Sequence, residues 1–206
     1  MENCQDHWDR IYGRAADGEF SWTQKVPDTS LKFIHEAHLS KSANIIDIGG
    51  GDSKLADYLL KEGFCNITVL DISANALERA KKRLGNKSKK VNWIVSDVTT
   101  FRSDVLFDFW HDRAAFHFLI TRQQIEKYIS AAKKAVKING YVTIGTFSKE
   151  GPSKCSGLDV KQYSEDTLKD ELKNGFEKIK CINEDHRTPF DTKQNFLFCL
   201  FKKNQN

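Results

Sequence analysis

A chain of 206 residues with a 39% hydrophobic share, 14 Phe and 4 Trp can fill one continuous core, while 29% charged residues keep its surface wet. The net charge of +4 is scattered, which argues against a nucleic-acid footprint, and no apolar run nears the ~18 residues of a membrane span. Five cysteines, an odd number without a CxxC pair, argue against a disulfide framework or a metal site and for a reducing, cytoplasmic setting.

The chain is expected to form a single domain over 1–206, opening with an aromatic-rich lid and helix over 1–40. A cofactor core over 41–147 follows, then an acceptor-side loop, helix and hairpin over 148–206. Asn44 to Ile48 reads as the first strand, and Ser53 to Leu60 as a helix with Leu55, Leu59 and Leu60 on one face. Asn66 to Leu70 is a second strand; Ser73 can cap a helix carrying Leu77, Ala80 and Leu84. Val91 to Val95 and Phe107 to His111 are the third and fourth strands. Thr121 caps a helix with Ile125, Ile129, Ala132 and Val136 inward, which Gly140 is expected to close before the strand Tyr141 to Phe147. A helix over Ser164 to Lys173 precedes two strand-like runs, Phe176 to Ile182 and Phe196 to Phe201. Their connection is too short for a helical crossover, so they should pair antiparallel. The pattern is α/β: a doubly wound, mostly parallel seven-stranded sheet, helices on both faces, and a C-terminal antiparallel hairpin.

Ligands of such sheets bind beyond the carboxyl ends of the strands. The first end gives Asp47-Ile48-Gly49-Gly50-Gly51, whose glycines let the backbone turn and approach a ligand closely. The second gives Asp71-Ile72, placed to accept hydrogen bonds from both hydroxyls of a ribose. The third gives Asp97-Val98, suited to the edge of a purine; the fourth gives His111-Asp112-Arg113. A nicotinamide dinucleotide is the rival ligand, but Lys54 stands where the third glycine of GxGxxG belongs, and Asp47 would repel a pyrophosphate. A ligand bearing a sulfonium and an ammonium suits Asp47 better.

IIDIGGGDSKLADYLL, NITVLDISANALERAKKRL and NWIVSDV resemble the class I, Rossmann-like S-adenosylmethionine-dependent methyltransferases. The resemblance implies S-adenosylmethionine as cofactor, with Asp47, Gly49, Gly50 and Gly51 at its methionine part, Asp71 and Ile72 at the ribose, Asp97 and Val98 at the adenine, and His111 nearby. The segment Phe109 to Ala115 is similar to that of thiopurine and related thiol S-methyltransferases, which carry an aspartate-arginine pair there. It is similar more loosely to elongation-factor lysine methyltransferases, departing from them where Arg113-Ala114-Ala115 replaces lysine-glycine-threonine. His7-Trp8-Asp9-x-x-Tyr12 followed by Trp22 is shared loosely with both, and Trp8, Tyr12 and Trp22 are expected to fold over the donor.

On the acceptor side, Asp112 and His117 are the candidate catalytic groups: either could orient or deprotonate a nucleophile. For Asp112 the competing reading is a salt bridge to Arg113, and for His117 a packed imidazole. Cys155 reads as a passive surface cysteine rather than a reactive thiol. The expected partner is a small-molecule acceptor methylated on sulfur or nitrogen, with a protein lysine as the alternative. A cofactor-binding protein without turnover is a third reading. A monomer or weak dimer is expected.

Overall fold

The structure, a computed structural model, describes residues 4–14 and 20–205; the parts of the expected lid at 1–3 and 15–19 lie outside them. In chain order the elements are α1 (Cys4–Arg14), α2 (Asp28–Glu36), β1 (Asn44–Ile48), α3 (Leu55–Lys61), β2 (Asn66–Asp71), α4 (Ala74–Leu84), β3 (Val91–Val95) and β4 (Phe107–Arg113). Then come α5 (Arg122–Ala135), β5 (Val136–Phe147), β6 (Lys154–Cys155), β7 (Leu158–Asp159), α6 (Glu165–Leu172), β8 (Phe176–Arg187) and β9 (Lys193–Lys203). One seven-stranded sheet runs in the order β3-β2-β1-β4-β5-β9-β8. Its first five strands are parallel, and β9 inserts antiparallel between β5 and β8. The expected doubly wound sheet and terminal hairpin are both present.

Alternation along each strand builds two cores. Ile46, Ile48, Trp110, Val142 and Ile144 face α5 and α6, meeting Ile125, Tyr128 and Leu168. Ile45, Ile67, Val69, Phe109 and Phe198 face the other way, against Phe33, Leu55, Leu59 and Leu77 of α2, α3 and α4. Each such side chain contributes about 1.5–3 kcal/mol of burial. Ser73 caps α4 by accepting from the Ala76 amide, and Thr121 caps α5 reciprocally with Gln124, as their sequence positions imply.

The structure corrects three expectations. Helix α5 ends at Ala135, not at Gly140; Val136 already pairs with Phe107. Residues 137–140 then bulge, with Asn139 left-handed at φ 64°, before pairing resumes between Tyr141 and Phe109. The turn that Gly140 signals therefore lies inside β5. The second correction is a disulfide, Cys181–Cys199, where none was expected. The two cysteines sit directly opposite in the β8–β9 register, so hairpin pairing rather than chain spacing brings them together. Cysteine usage thus no longer argues for a reducing compartment. The third is Cys155, which is buried on the short β6–β7 hairpin instead of lying on the surface. Among the described residues no helix is long and apolar enough to cross a membrane, and no group of acidic, cysteine or histidine side chains could hold a metal.

Candidate active site

Chain order reverses between β1 and β4, opening a crevice at their carboxyl ends. A cavity of about 890 Å³ occupies it, near the upper end of the roughly 300–1,000 Å³ usual for small-molecule sites. Its walls include Asp47, Gly49, Gly50, Asp71, Ile72, Asp97, Val98 and His111 from the strand ends, and Trp8, Tyr12 and Trp22 from above. Gly51 lies just behind the wall: a β-carbon there would stand 2.8 Å from the Tyr12 hydroxyl and 3.2 Å from the Asp71 carboxylate. The structure thus brings together the residues singled out for cofactor binding.

The β1 turn can be built only from glycine. Gly49 and Gly51 take φ of 61° and 48°. A β-carbon on Gly50 would lie 2.7 Å from both Asp47 Oδ2 and Val69 Cγ1. Asp47 itself is held by the His111 ring, Nδ1 to Oδ1 at 2.7 Å, while His111 Nε2 meets the Ser30 hydroxyl at 2.8 Å. Both imidazole nitrogens are engaged, so His111 orients Asp47 and offers no free base.

Asp71 accepts from the Ser73 amide at 2.8 Å and from the Gly51 amide, yet burial dominates and pushes its pKa up to about 7. A buried carboxylate with so few donors is suited to a ligand that brings hydroxyls. Asp97 Oδ1 takes the Thr99 amide at 2.7 Å, which fixes the third strand's turn. Asp47, Asp71 and Asp97 line the strand-end side of the cavity, whereas Asp52 is paired with Arg79 at 3.0 Å and Lys54, Lys82 and Arg83 also border that wall, so the charge favourable to a cation is local to the strand ends.

The aromatic cover is continuous. Trp8 meets Phe118 at 5.0 Å and Trp22 at 5.9 Å, both edge-on, and Phe20 stacks on Trp22 at 4.6 Å. Helix α1 is pinned to α4 through Asp9, which accepts from the Ser73 hydroxyl at 2.6 Å and the Asn75 amide at 3.1 Å. Beyond the cover the cavity continues to Phe147, Cys155 and Phe196 at the β5 and β9 end.

The two candidate catalytic groups are elsewhere, and neither lines the cavity. Asp112 is fully buried on the α5 face: Oδ1 accepts from the Ala115 and Phe116 amides at 3.0 and 3.1 Å, and Oδ2 from the Tyr128 hydroxyl at 2.8 Å. Burial raises its pKa to about 6. It braces the turn after β4 and pairs with Tyr128, so neither the catalytic role nor the Arg113 bridge describes it. His117 is a packed imidazole. It stacks on Phe147 at 4.5 Å, Nδ1 accepts from the Phe147 amide at 3.3 Å, and burial beside Arg113 drops its pKa to about 3.

Arg113, which follows Asp112, points back into the cavity. Nη1 donates to the Trp22 carbonyl at 2.9 Å and the guanidinium lies over Phe196 at 4.7 Å. Burial lowers its pKa only to about 10, so it keeps its charge at neutral pH. Side chains alternate along a strand; if His111 faces the cavity, Asp112 must turn away and Arg113 return. Cys155, Phe147, Phe196 and Ser30 carry no such signal, since distant elements bring them here.

Residues 45–140 match the model of a methyltransferase-domain family. The ubiquinone biosynthesis O-methyltransferase of Rickettsia akari is 27% identical over 154 residues, 71% of this chain and 59% of that protein. Human EEF1A lysine methyltransferase 2 is 23% identical over 85% of this chain and 75% of its own. The N-methyltransferase NodS of Bradyrhizobium japonicum, solved with S-adenosyl-L-homocysteine, superposes with a TM-score of 0.72 at 16% identity, covering 96% of this chain and 99% of its own. The chain spans 59%, 61% and 49% of the lengths of three Rickettsia O-methyltransferases it matches.

Proposed function

We propose that this chain is a class I S-adenosylmethionine-dependent methyltransferase that methylates a nucleophilic heteroatom of a small molecule, a reading supported by the matched methyltransferase-domain model and the shared fold. When bound, the donor supplies an electrophilic methyl on a sulfonium whose leaving group is a neutral thioether. The cavity fits that donor, because its glycine turn excludes any β-carbon, its buried Asp71 has only two backbone donors and can accept from a ribose, and the Asp47 carboxylate beside the turn suits a cation. Asp47, Gly49 and Gly50 would hold the methionine part, Asp71 and Ile72 the ribose, and Asp97 with Val98 the adenine edge.

Methyl transfer is an in-line displacement, so the chain's own contribution is alignment and exclusion of water. Trp8, Tyr12 and Trp22 supply the exclusion, and their ring faces favour a neighbouring cation. Asp47, fixed by His111 and Ser30, orients the donor's positive end. The acceptor's place is the extension of the cavity toward Phe147, Cys155 and Phe196.

The aromatic cover is the observation that carries the small-molecule reading. Rings joined from Trp8 to Phe118 and Trp22 cover part of the site from above, an arrangement that suits a compact acceptor better than the long side chain of a protein lysine. The matched lysine methyltransferases keep the protein substrate as the second reading. Incubation with tritiated donor is the test, using a metabolite extract and whole-cell protein side by side. Label is expected in the small-molecule fraction. Label confined to a protein band would overturn the reading in favour of the lysine acceptor.

A further inference from the structure

The Arg113 guanidinium is an unfinished arrangement. Its Nη1 is spent on the Trp22 carbonyl, but Nε and Nη2 are both buried and have no hydrogen-bond partner among the described residues. Buried polar groups are nearly always satisfied, and a charged donor left bare is the most costly exception. No salt bridge to it is present among the described residues: Glu184, the carboxylate that acts on it most strongly, takes a hydrogen bond from the Thr29 hydroxyl instead. Nor can the guanidinium swing away readily, since the Trp22 carbonyl and the Phe196 ring hold it from two sides.

Because Arg113 lines the cavity, a ligand atom can reach its two unpartnered nitrogens. We propose that Arg113 is an anion receptor inside the cavity, its free Nε–H and Nη2–H gripping a carboxylate-class group. Two adjacent N–H donors on a planar guanidinium match two oxygens of one carboxylate, a geometry that an ammonium cannot offer. The proposal rests on the donor-site reading and extends it to substrate class. Two anions share this chemistry, a carboxylate on the acceptor and the carboxylate of the donor's methionine tail. The wall that Arg113 shares with Phe147, Cys155 and Phe196 favours the acceptor, which would then be a flat or apolar molecule carrying an anionic group.

Calorimetry on the intact chain, saturated with S-adenosylhomocysteine, tests this without any turnover. Benzoate is the probe and benzamide its neutral counterpart. Benzoate is expected to bind at least tenfold more tightly than benzamide, and Arg113→Met to erase that preference while Arg113→Lys restores part of it. A merely structural arginine would weaken both probes alike. The second arm compares S-adenosylhomocysteine with 5′-methylthioadenosine, which lacks the amino-acid tail. A tenfold loss confined to the former in Arg113→Met assigns the anion to the donor and still supports the receptor. Equal binding of benzoate and benzamide by the unaltered protein, with donor-product affinity indifferent to Arg113→Met, overturns it. The benzoate comparison on the unaltered protein stands even if the variant fails to fold. Binding of benzoate is also independent of where tritium is found, so the receptor and the small-molecule reading fail separately.

Discussion

Asp112→Ala is expected to cost on the order of 4 kcal/mol of stability without touching donor affinity. The substitution strands three buried donors at once, the Ala115 and Phe116 amides and the Tyr128 hydroxyl, and each orphaned group costs about 1–3 kcal/mol. Tyr128 also accepts from Trp110 Nε1 at 2.8 Å, so the loss reaches the middle of β4. Against a typical total of about 5–15 kcal/mol this is a large fraction, and a fall in melting temperature of about 10 °C follows for a chain of this length. Asp112→Asn keeps one acceptor oxygen for the two amides and should lose much less. A catalytic Asp112 would give the opposite pattern, near-normal melting with turnover down about 10²-fold or more. Melting temperature, product affinity and activity per folded molecule, measured on one preparation, separate the two.

Asp71→Ala is expected to weaken S-adenosylhomocysteine binding by about 1.5–3 kcal/mol, roughly 10- to 150-fold, the scale of hydrogen bonds to a charged acceptor. pH gives an independent check. Burial holds the Asp71 pKa at about 7, above the ~3.9 of an unfolded carboxyl, so the folded apo chain keeps a proton that the unfolded chain releases. Asp71's contribution to stability is therefore most favourable at low pH and declines as pH rises from about 4 to 7. Ribose hydroxyls donate to the ionised form, so binding has the opposite sense. Affinity should fall as pH drops from 8 to 6, and the Asp71→Ala variant should be flat across that window. Unchanged affinity in the variant would sink the ribose assignment.

How much of this was legible depends on whether a residue acts through its own strand or through a distant one. The glycine turn, Asp71 and Asp97 follow their strands directly, and reading strand ends in order finds all three. The caps at Ser73 and Thr121 are equally local. Asp112 departs from the expectation because strand parity turns its side chain toward Tyr128 and leaves Arg113 in the cavity, which position at a strand end alone does not reveal. Gly140 misled because an Asn-Gly turn can sit within a bulged strand as well as after a helix. Cys181 with Cys199, and the gathering of Cys155, Phe147 and Phe196, depend on register and on a hairpin folding back, which no local pattern encodes.

Thermal melting with increasing S-adenosylhomocysteine, run beside NADH, tests the central claim most directly. A ligand that binds only the native state raises the melting temperature in proportion to the logarithm of its concentration above the dissociation constant. The strand-end carboxylates and the glycine turn predict a shift that keeps rising with the logarithm of S-adenosylhomocysteine concentration, and none with NADH. Stabilisation by NADH with no response to S-adenosylhomocysteine would contradict the account.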